Sequence, residues 1–280
     1  MGGLQDGGID KRRVAPVIQG EIVMLKRLFI MAMAGTLFAG TTQAQPPAVA
    51  NVTVEGTEFV VGLRDGRTLR SQDLVGATLD VRFDGQPTRV RIAGVERDPN
   101  DKSGTVWLHT MEALQADGSW TNLCMTGPDG RRQGFPLQGQ AGGLDFSCTL
   151  GAVAKCVRFG YRPWDNSVDG TSLVPLHEAC VRMVRGDYGG ANEPWTRNGM
   201  SIDVYDVKEV QTPDNAADQA FEAGWSPEGA VCVHHVRVKE NTTLAELETK
   251  YPRLAGRTGA ICTEAFARSK GAILFNRSKD

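Results

Sequence analysis

The sequence predicts a β-rich α+β fold: antiparallel strands and hairpins with one or two short helices, stapled by disulfides. Three observations predict it. Asp-Gly pairs recur between alternating apolar runs in the first half, the strongest short-range hairpin signal. The pattern changes to a helical period between Ser172 and Val184. Six cysteines, all downstream of a leader-like segment, set up a stapled framework.

The leader decides the compartment. Residues 24–44 open on Lys26 and Arg27, continue as an apolar run from Leu28 to Ala39, and close on Thr42-Gln43-Ala44, an Ala-x-Ala type of end. That is the anatomy of a secretory signal peptide. The run is too short for a bilayer, which needs about 20 residues. Cleavage near Ala44 is therefore expected, with a product that starts near Gln45 and resides in the periplasm or outside the cell. Residues 1–23 are Gly-rich and aperiodic and read as an over-extended N-terminus that does not fold; a long charged n-region is the alternative. No cysteine lies near the cut, so Cys-directed lipid attachment has no acceptor.

From Gln45 onward the organisation reads as a β-rich part over 45–125, a Gly/Gln/Pro-rich loop or linker over 126–143, and a second domain over 144–280. Taking the 5 basic and 3 acidic residues of 1–44 from totals of 31 and 33 leaves 26 against 30, a net charge of −4. A mildly acidic chain has no electrostatic footprint for nucleic acid or anionic lipid. No later stretch is long and apolar enough for stable membrane insertion once the leader is removed. The partner class left open is a protein of the envelope or of the extracellular space. The residues imply no cofactor: no phosphate-binding glycine loop, no Gly-x-Ser-x-Gly elbow and no His-Glu-x-x-His occurs.

Cys124, Cys148, Cys156, Cys180, Cys232 and Cys262 are an even set in an exported chain and read as disulfides, with fifteen connectivities open. A zinc site is the rival. It is disfavoured because no Cys-x-x-Cys and no His-x₃₋₅-His pair is present.

Taken in order, Glu58–Leu63 and Thr68–Asp73 flank Asp65-Gly66. Leu79, Val81 and Phe83 alternate up to Asp84-Gly85, and Val90 and Ile92 resume. The run from Trp107 to Leu114 precedes Asp117-Gly118 and a strand from Trp120 to Leu123. Each Asp-Gly pair is expected to take positive φ at both residues, and three such turns predict a meander or small sandwich. His109 on the Trp107–Leu114 run is expected to be a half-buried structural residue. The helix opens at Ser172 as cap, tolerates Pro175 in its first turn, repeats Leu176, Cys180 and Met183/Val184, carries a Glu178–Arg182 pair, and ends at Gly189-Gly190. Strands follow over Ser201–Val207 and Val231–Val238, then a short helix over Leu244–Tyr251 and a last strand over Ala272–Phe275.

Residues 146–206 carry a specific series. Phe146-Ser-Cys148 leads to Lys155-Cys156 and Gly160-Tyr161-Arg-Pro-Trp164. Then come His177-Glu-Ala-Cys180-Val-Arg-Met-Val-Arg185, Gly186-Asp187-Tyr188-Gly189-Gly190, Thr196-Arg197-Asn-Gly199 and Ile202-Asp203-Val-Tyr-Asp206. Over roughly residues 120–280 this resembles the bacterial ADYC-domain family, exported proteins named for an Ala-Asp-Tyr-Cys motif. The resemblance implies an exported, cysteine-stapled domain and no assigned activity. Here the naming motif reads Gly186-Asp187-Tyr188-Gly189, so glycine stands for both its alanine and its cysteine. The thiol's loss, with an even count left, implies that its bridge partner is missing too and that no indispensable nucleophile sits there.

The candidate chemistry is sparse, and each candidate has a structural alternative. His177 and Cys180 share a helix face, so the pair could make an activated thiolate, or Cys180 could be half of a disulfide. Arg185, Asp187 and Tyr188 offer a cation, a carboxylate and a phenol, with Asp187 as base and Tyr188 as proton donor, or else simply tie down the turn after the helix. A hydrolase with its site near His177, Asp187 and Tyr188 is the enzymatic alternative to a binding or structural domain. Lys155 between Ala154 and Cys156 is either a depressed-pKa nucleophile or a stem lying on apolar surface. His234 and His235, adjacent on a strand, point to opposite faces and cannot both hold one metal. A reversible Cys148/Cys156 pair is a third, redox, reading.

Overall fold

The computed structural model describes residues 48–279, apart from 84–85, 128, 140–142 and 215, together with the backbone of Val17–Ile18. The leader, its cleavage site and the Asp84-Gly85 turn lie outside the described residues. The chain divides into two compact units, Met1–Leu150 and Gly151–Asp280.

The first unit holds strands β1 (Val17–Ile18), β2 (Val49–Glu55), β3 (Glu58–Leu63), β4 (Thr68–Arg70), β5 (Thr78–Phe83) and β6 (Gln86–Arg97). These are followed by β7 (Trp107–Leu114), β8 (Trp120–Asn122), β9 (Gly134–Gln138) and β10 (Leu144–Cys148). They form a seven-stranded sheet ordered β1-β10-β9-β7-β6-β5, with β8 also on β7, and a three-stranded sheet β2-β3-β4. All pairings are antiparallel. Phe59, Val61 and Leu63 of β3 meet Leu79, Val81, Val90, Ile92, Met111 and Ala113 in one core. That core follows from period-2 alternation on each strand.

Three findings differ from the sequence reading here. Val17–Ile18 forms a two-residue strand on β10, although residues 1–23 read as unfolded. The stretch 126–143 contains β9, whose Phe135 and Leu137 are buried; its glycines and Pro136 mask the strand pattern. Together with β10 it belongs to the first unit, Met1–Leu150.

The third difference is the turn type. Gly66 has φ +87° and Gly118 φ +82°, while neither Asp65 nor Asp117 has positive φ. At Leu63–Arg67 the Gly66 N–H donates to Leu63 O at 3.0 Å and the Leu63 N–H to Arg67 O at 2.8 Å. Asp65 Oδ1 accepts the Arg67 N–H at 3.1 Å. This is a three-residue loop closed by a left-handed glycine, not a two-residue mirror turn. Gln115–Ser119 and Gly127–Arg131 repeat it, as does Ser167–Thr171 in the second unit.

The second unit is built on a four-stranded antiparallel sheet ordered β11-β14-β12-β13. Its strands are β11 (Ile202–Asp206), β12 (Ala220–Ser226), β13 (Gly229–Val233) and β14 (Leu274–Ser278). Helices α1 (Ala152–Arg158), α2 (Val174–Arg185), α3 (Leu244–Lys250) and α4 (Glu264–Ser269) complete it. Leu176, Ala179, Cys180 and Met183 of α2, at three-to-four spacing, pack with Val204, Ala223, Trp225 and Leu274 of the sheet. Tyr205, Cys232 and Phe275 form a separate cluster with Cys262 and with Ala267 of α4.

The α2 helix begins at Val174 with Leu173 as cap; Ser172 contributes its Oγ to the Val174 N–H at 3.2 Å. It ends at Gly186, φ +61°, and not at Gly189-Gly190. The β13 strand ends at Val233, short of the expected Val238. Among the described residues, no helix is long and apolar enough to cross a membrane.

All six cysteines are bridged, in order along the chain: Cys124–Cys148, Cys156–Cys180 and Cys232–Cys262. Each pair has Cα atoms 5.5–5.8 Å apart, the usual spacing. The first bridge lies in the first unit. The second ties α1 to α2, and the third ties β13 to the residue two before α4. The proposed Cys148/Cys156 couple does not exist, because each of those thiols is joined to a different partner.

Candidate functional site

The chemistry-bearing residues picked out from the sequence are buried and separately bonded. His177 is 8 % exposed and its Nδ1 lies 2.7 Å from Tyr161 O; burial pushes its pKa down. Asp187 is fully buried. It takes Arg182 Nη1 at 2.6 Å and accepts the N–H groups of Asn192 at 3.0 Å and Glu193 at 3.3 Å. Tyr188, also fully buried, donates its hydroxyl to Glu222 Oε1 at 2.9 Å and accepts the Arg237 N–H at 3.2 Å. Burial, and then the Glu222 charge, push this phenol far above its ordinary range. Asp187 and Tyr188 are chain neighbours, but their polar ends engage different partners, and His177 bonds to neither.

Elsewhere, Arg185 Nη2 donates to Asn192 O at 3.1 Å. Lys155 is half-buried, and burial lowers its pKa. His234 and His235 lie beyond the end of β13. His234 Nδ1 is 3.1 Å from Cys262 O and His235 Nε2 3.0 Å from Ser278 Oγ, so each ring is tied to a different strand or bridge. Among the described residues, no group of three His, Cys, Asp or Glu side chains could hold a metal ion.

The sequence reading missed the network beneath Tyr188. Glu222 and Arg237, both with wholly buried side chains, make a two-pronged pair, with Arg237 Nη2 at 2.7 Å and Nε at 2.9 Å from Oε1. Asn276 Nδ2 donates to Glu222 Oε2 at 2.7 Å, and Trp225 Nε1 donates to Asn276 Oδ1 at 2.8 Å. Burial pushes the Glu222 carboxyl up, but Arg237, Ser278 and Asn276 outweigh it and hold the pKa below the ordinary value. The available signal was a lone glutamate inside the apolar run Phe221–Trp225, since a buried charge requires a partner.

These buried contacts shape a surface groove. Asp187, by capping the loop after α2 at Asn192 and Glu193, fixes the segment that carries Trp195, whose N–H donates to Arg185 O at 3.2 Å. The groove is also lined by α3, started by Thr243 and Glu246 in a reciprocal capping box. Trp195, Asn241, Thr242, Ala245, Glu246, Leu247, Thr249 and Lys250 line about 470 Å³, within the size range of small-ligand sites. Asn241 Nδ2 donates to Thr196 O at 3.2 Å. At the rim, Trp195 Nε1 donates to Tyr251 OH at 3.4 Å, Tyr251 OH donates to Glu193 Oε2, and Lys250 Nζ sits 2.7 Å from the same oxygen.

The motif glycines are explained by this construction. Gly186 holds a left-handed conformation in which alanine would be strained. A Cβ on Gly189 would lie 2.2 Å from Tyr251 Cε1, because the ring rests on the backbone there. In this chain Tyr251 fills the space that a cysteine side chain would need.

The ADYC domain family model matches residues 71–239, well over half of the chain. The chain belongs to the ADYC-domain family. The match begins in the first unit and ends in the second, so the ADYC region is not confined to the 120–280 stretch over which the motif series was recognised. No curated protein and no solved structure matches this ADYC-domain chain.

Proposed function

We propose that this ADYC-domain protein is exported and works in the cell envelope or outside it, as a disulfide-stabilised binding domain that takes its ligand in the Trp195 groove. The observation that carries the reading is the closure of all six cysteines into three bridges, since disulfides persist where the solvent is oxidising. The leader at residues 24–44 supplies the route. The groove supplies the binding surface, pre-ordered by Asp187 and by the Trp195–Tyr251–Glu193 chain of contacts. The hydrolase reading draws no support from the geometry, because His177, Asp187 and Tyr188 are buried and already bonded. Cleavage near Ala44 also removes Val17–Ile18 and leaves two residues of β10 without their edge partner.

The test is fractionation of bacterial cells that express all 280 residues, with N-terminal sequencing of the product. A chain starting near Gln45 in the extracytoplasmic fraction is expected. Uncleaved chain confined to the cytosol would overturn the proposal.

A further inference from the structure

The rim of the groove already holds a cation in the manner of a receptor. Lys250 Nζ lies 5.0 Å from the centroid of the Trp195 ring and 5.7 Å from that of Tyr251, and 2.7 Å from Glu193 Oε2. Two aromatic rings and a carboxylate around one ammonium are the elements of a cation–π cage. Lys250 holds its place weakly. Its side chain is 46 % exposed and that of Glu193 44 %, and exposed ion pairs contribute little. The cage walls are fixed independently of it, by Trp195 Nε1 on Tyr251 OH, Tyr251 OH on Glu193, and Asp187 on the Glu193 N–H. Lys250 is also the only cation among the described residues that line the groove, with apolar Ala245 and Leu247 alongside.

We propose that the Trp195–Tyr251–Glu193 cage binds an organic ammonium group, of the small quaternary ammonium class, and that Lys250 is its internal placeholder. A quaternary ammonium suits this site better than the lysine does, because an ordinary ammonium is a compact, strongly hydrated charge that gives up water reluctantly. The charged head takes the place of Lys250 Nζ, and the uncharged remainder lies along the groove. This rests on the binding-domain reading and names the ligand's chemistry. It is tested in vitro, so its failure is distinguishable from a failure of export.

The experiment titrates choline, by calorimetry, into the purified oxidised protein and into Lys250→Ala, Glu193→Gln and Trp195→Ala, each checked by its melting curve. A second arm replaces choline with sedimentable phosphatidylcholine vesicles, to tell a free ligand from a lipid headgroup. Binding is expected to tighten about three- to fivefold in Lys250→Ala, the worth of a surface ion pair. It should weaken in Glu193→Gln and vanish in Trp195→Ala. Binding only in the vesicle arm, with the same variant pattern, supports the cage with a headgroup as its ligand. A normally melting Lys250→Ala protein that binds in neither arm would overturn the proposal, as would binding untouched by Trp195→Ala.

Discussion

Acidification should destabilise the first unit through one residue, His109. It is wholly buried on β7, with its ring edge-on to Phe59 at 5.3 Å. Its Nε2 lies 2.7 Å from Ser71 Oγ, which already accepts the Phe59 N–H at 2.8 Å. The imidazole sits against Phe59 and Ser71 with no counter-ion among these partners, and that setting disfavours the charged ring. Burial pushes its pKa down from 6.5 to about 4. A folded-state pKa below the unfolded one means that the stabilisation is whole above pH 6.5 and is lost as pH falls from 6.5 toward 4. Between pH 7 and pH 5 the loss is about 2 kcal/mol. Urea unfolding at both pH values, for the wild type and His109→Gln, isolates this group, because His177 and the carboxylates titrate in both proteins. The wild type should lose about 2 kcal/mol more than the variant. Equal losses would refute the claim that His109 is held neutral by the core.

Three further outcomes are expected. Glu222→Gln leaves Arg237 charged and buried without its counter-ion, and should cost about 3–5 kcal/mol in urea unfolding. Gly189→Cys, which restores the thiol of the family motif, drives a side chain into the Tyr251 ring; it should lower stability by about 1–3 kcal/mol, visible as a lowered Tm. Replacing Cys156 and Cys180 together by serine should cost about 2–4 kcal/mol and unfasten α1 from α2, read by amide exchange over residues 152–158.

The strands that alternate cleanly between Asp-Gly turns, β3 and β7 above all, are legible in the sequence at their true ends, because local pattern and turn chemistry agree there. β9 was hidden because its buried Phe135 and Leu137 sit among Gly134, Pro136 and a glycine-rich surround. β12 was hidden because Glu222 interrupts an apolar run for a reason that lies 15 residues away, at Arg237. The helix α1 has neither a side-chain cap nor an acidic first turn, and its Ala-Val-Ala-Lys-Cys-Val run reads equally as a strand. The α4 helix, at six residues, is too short for periodicity to speak.

The α2 helix is legible through its three-to-four spacing, and the short helix expected over Leu244–Tyr251 matches α3 to within one residue. The end of α2 was misplaced because three glycines, at 186, 189 and 190, compete for it. The site was the least legible part. Trp195 lies in an aperiodic loop whose shape is dictated by Asp187, and its partners Glu193, Lys250 and Tyr251 are brought together only by folding of the second unit.

Whether this chain is stapled by sulfur–sulfur links made outside the cytoplasm can be read from a single intact mass. Protein recovered from the extracytoplasmic fraction is denatured without reductant, alkylated, and weighed intact. The expected mass is that of a chain beginning near Gln45, with no alkyl groups added and three pairs of hydrogens missing. A species that carries residues 1–44 and six alkyl groups would contradict it.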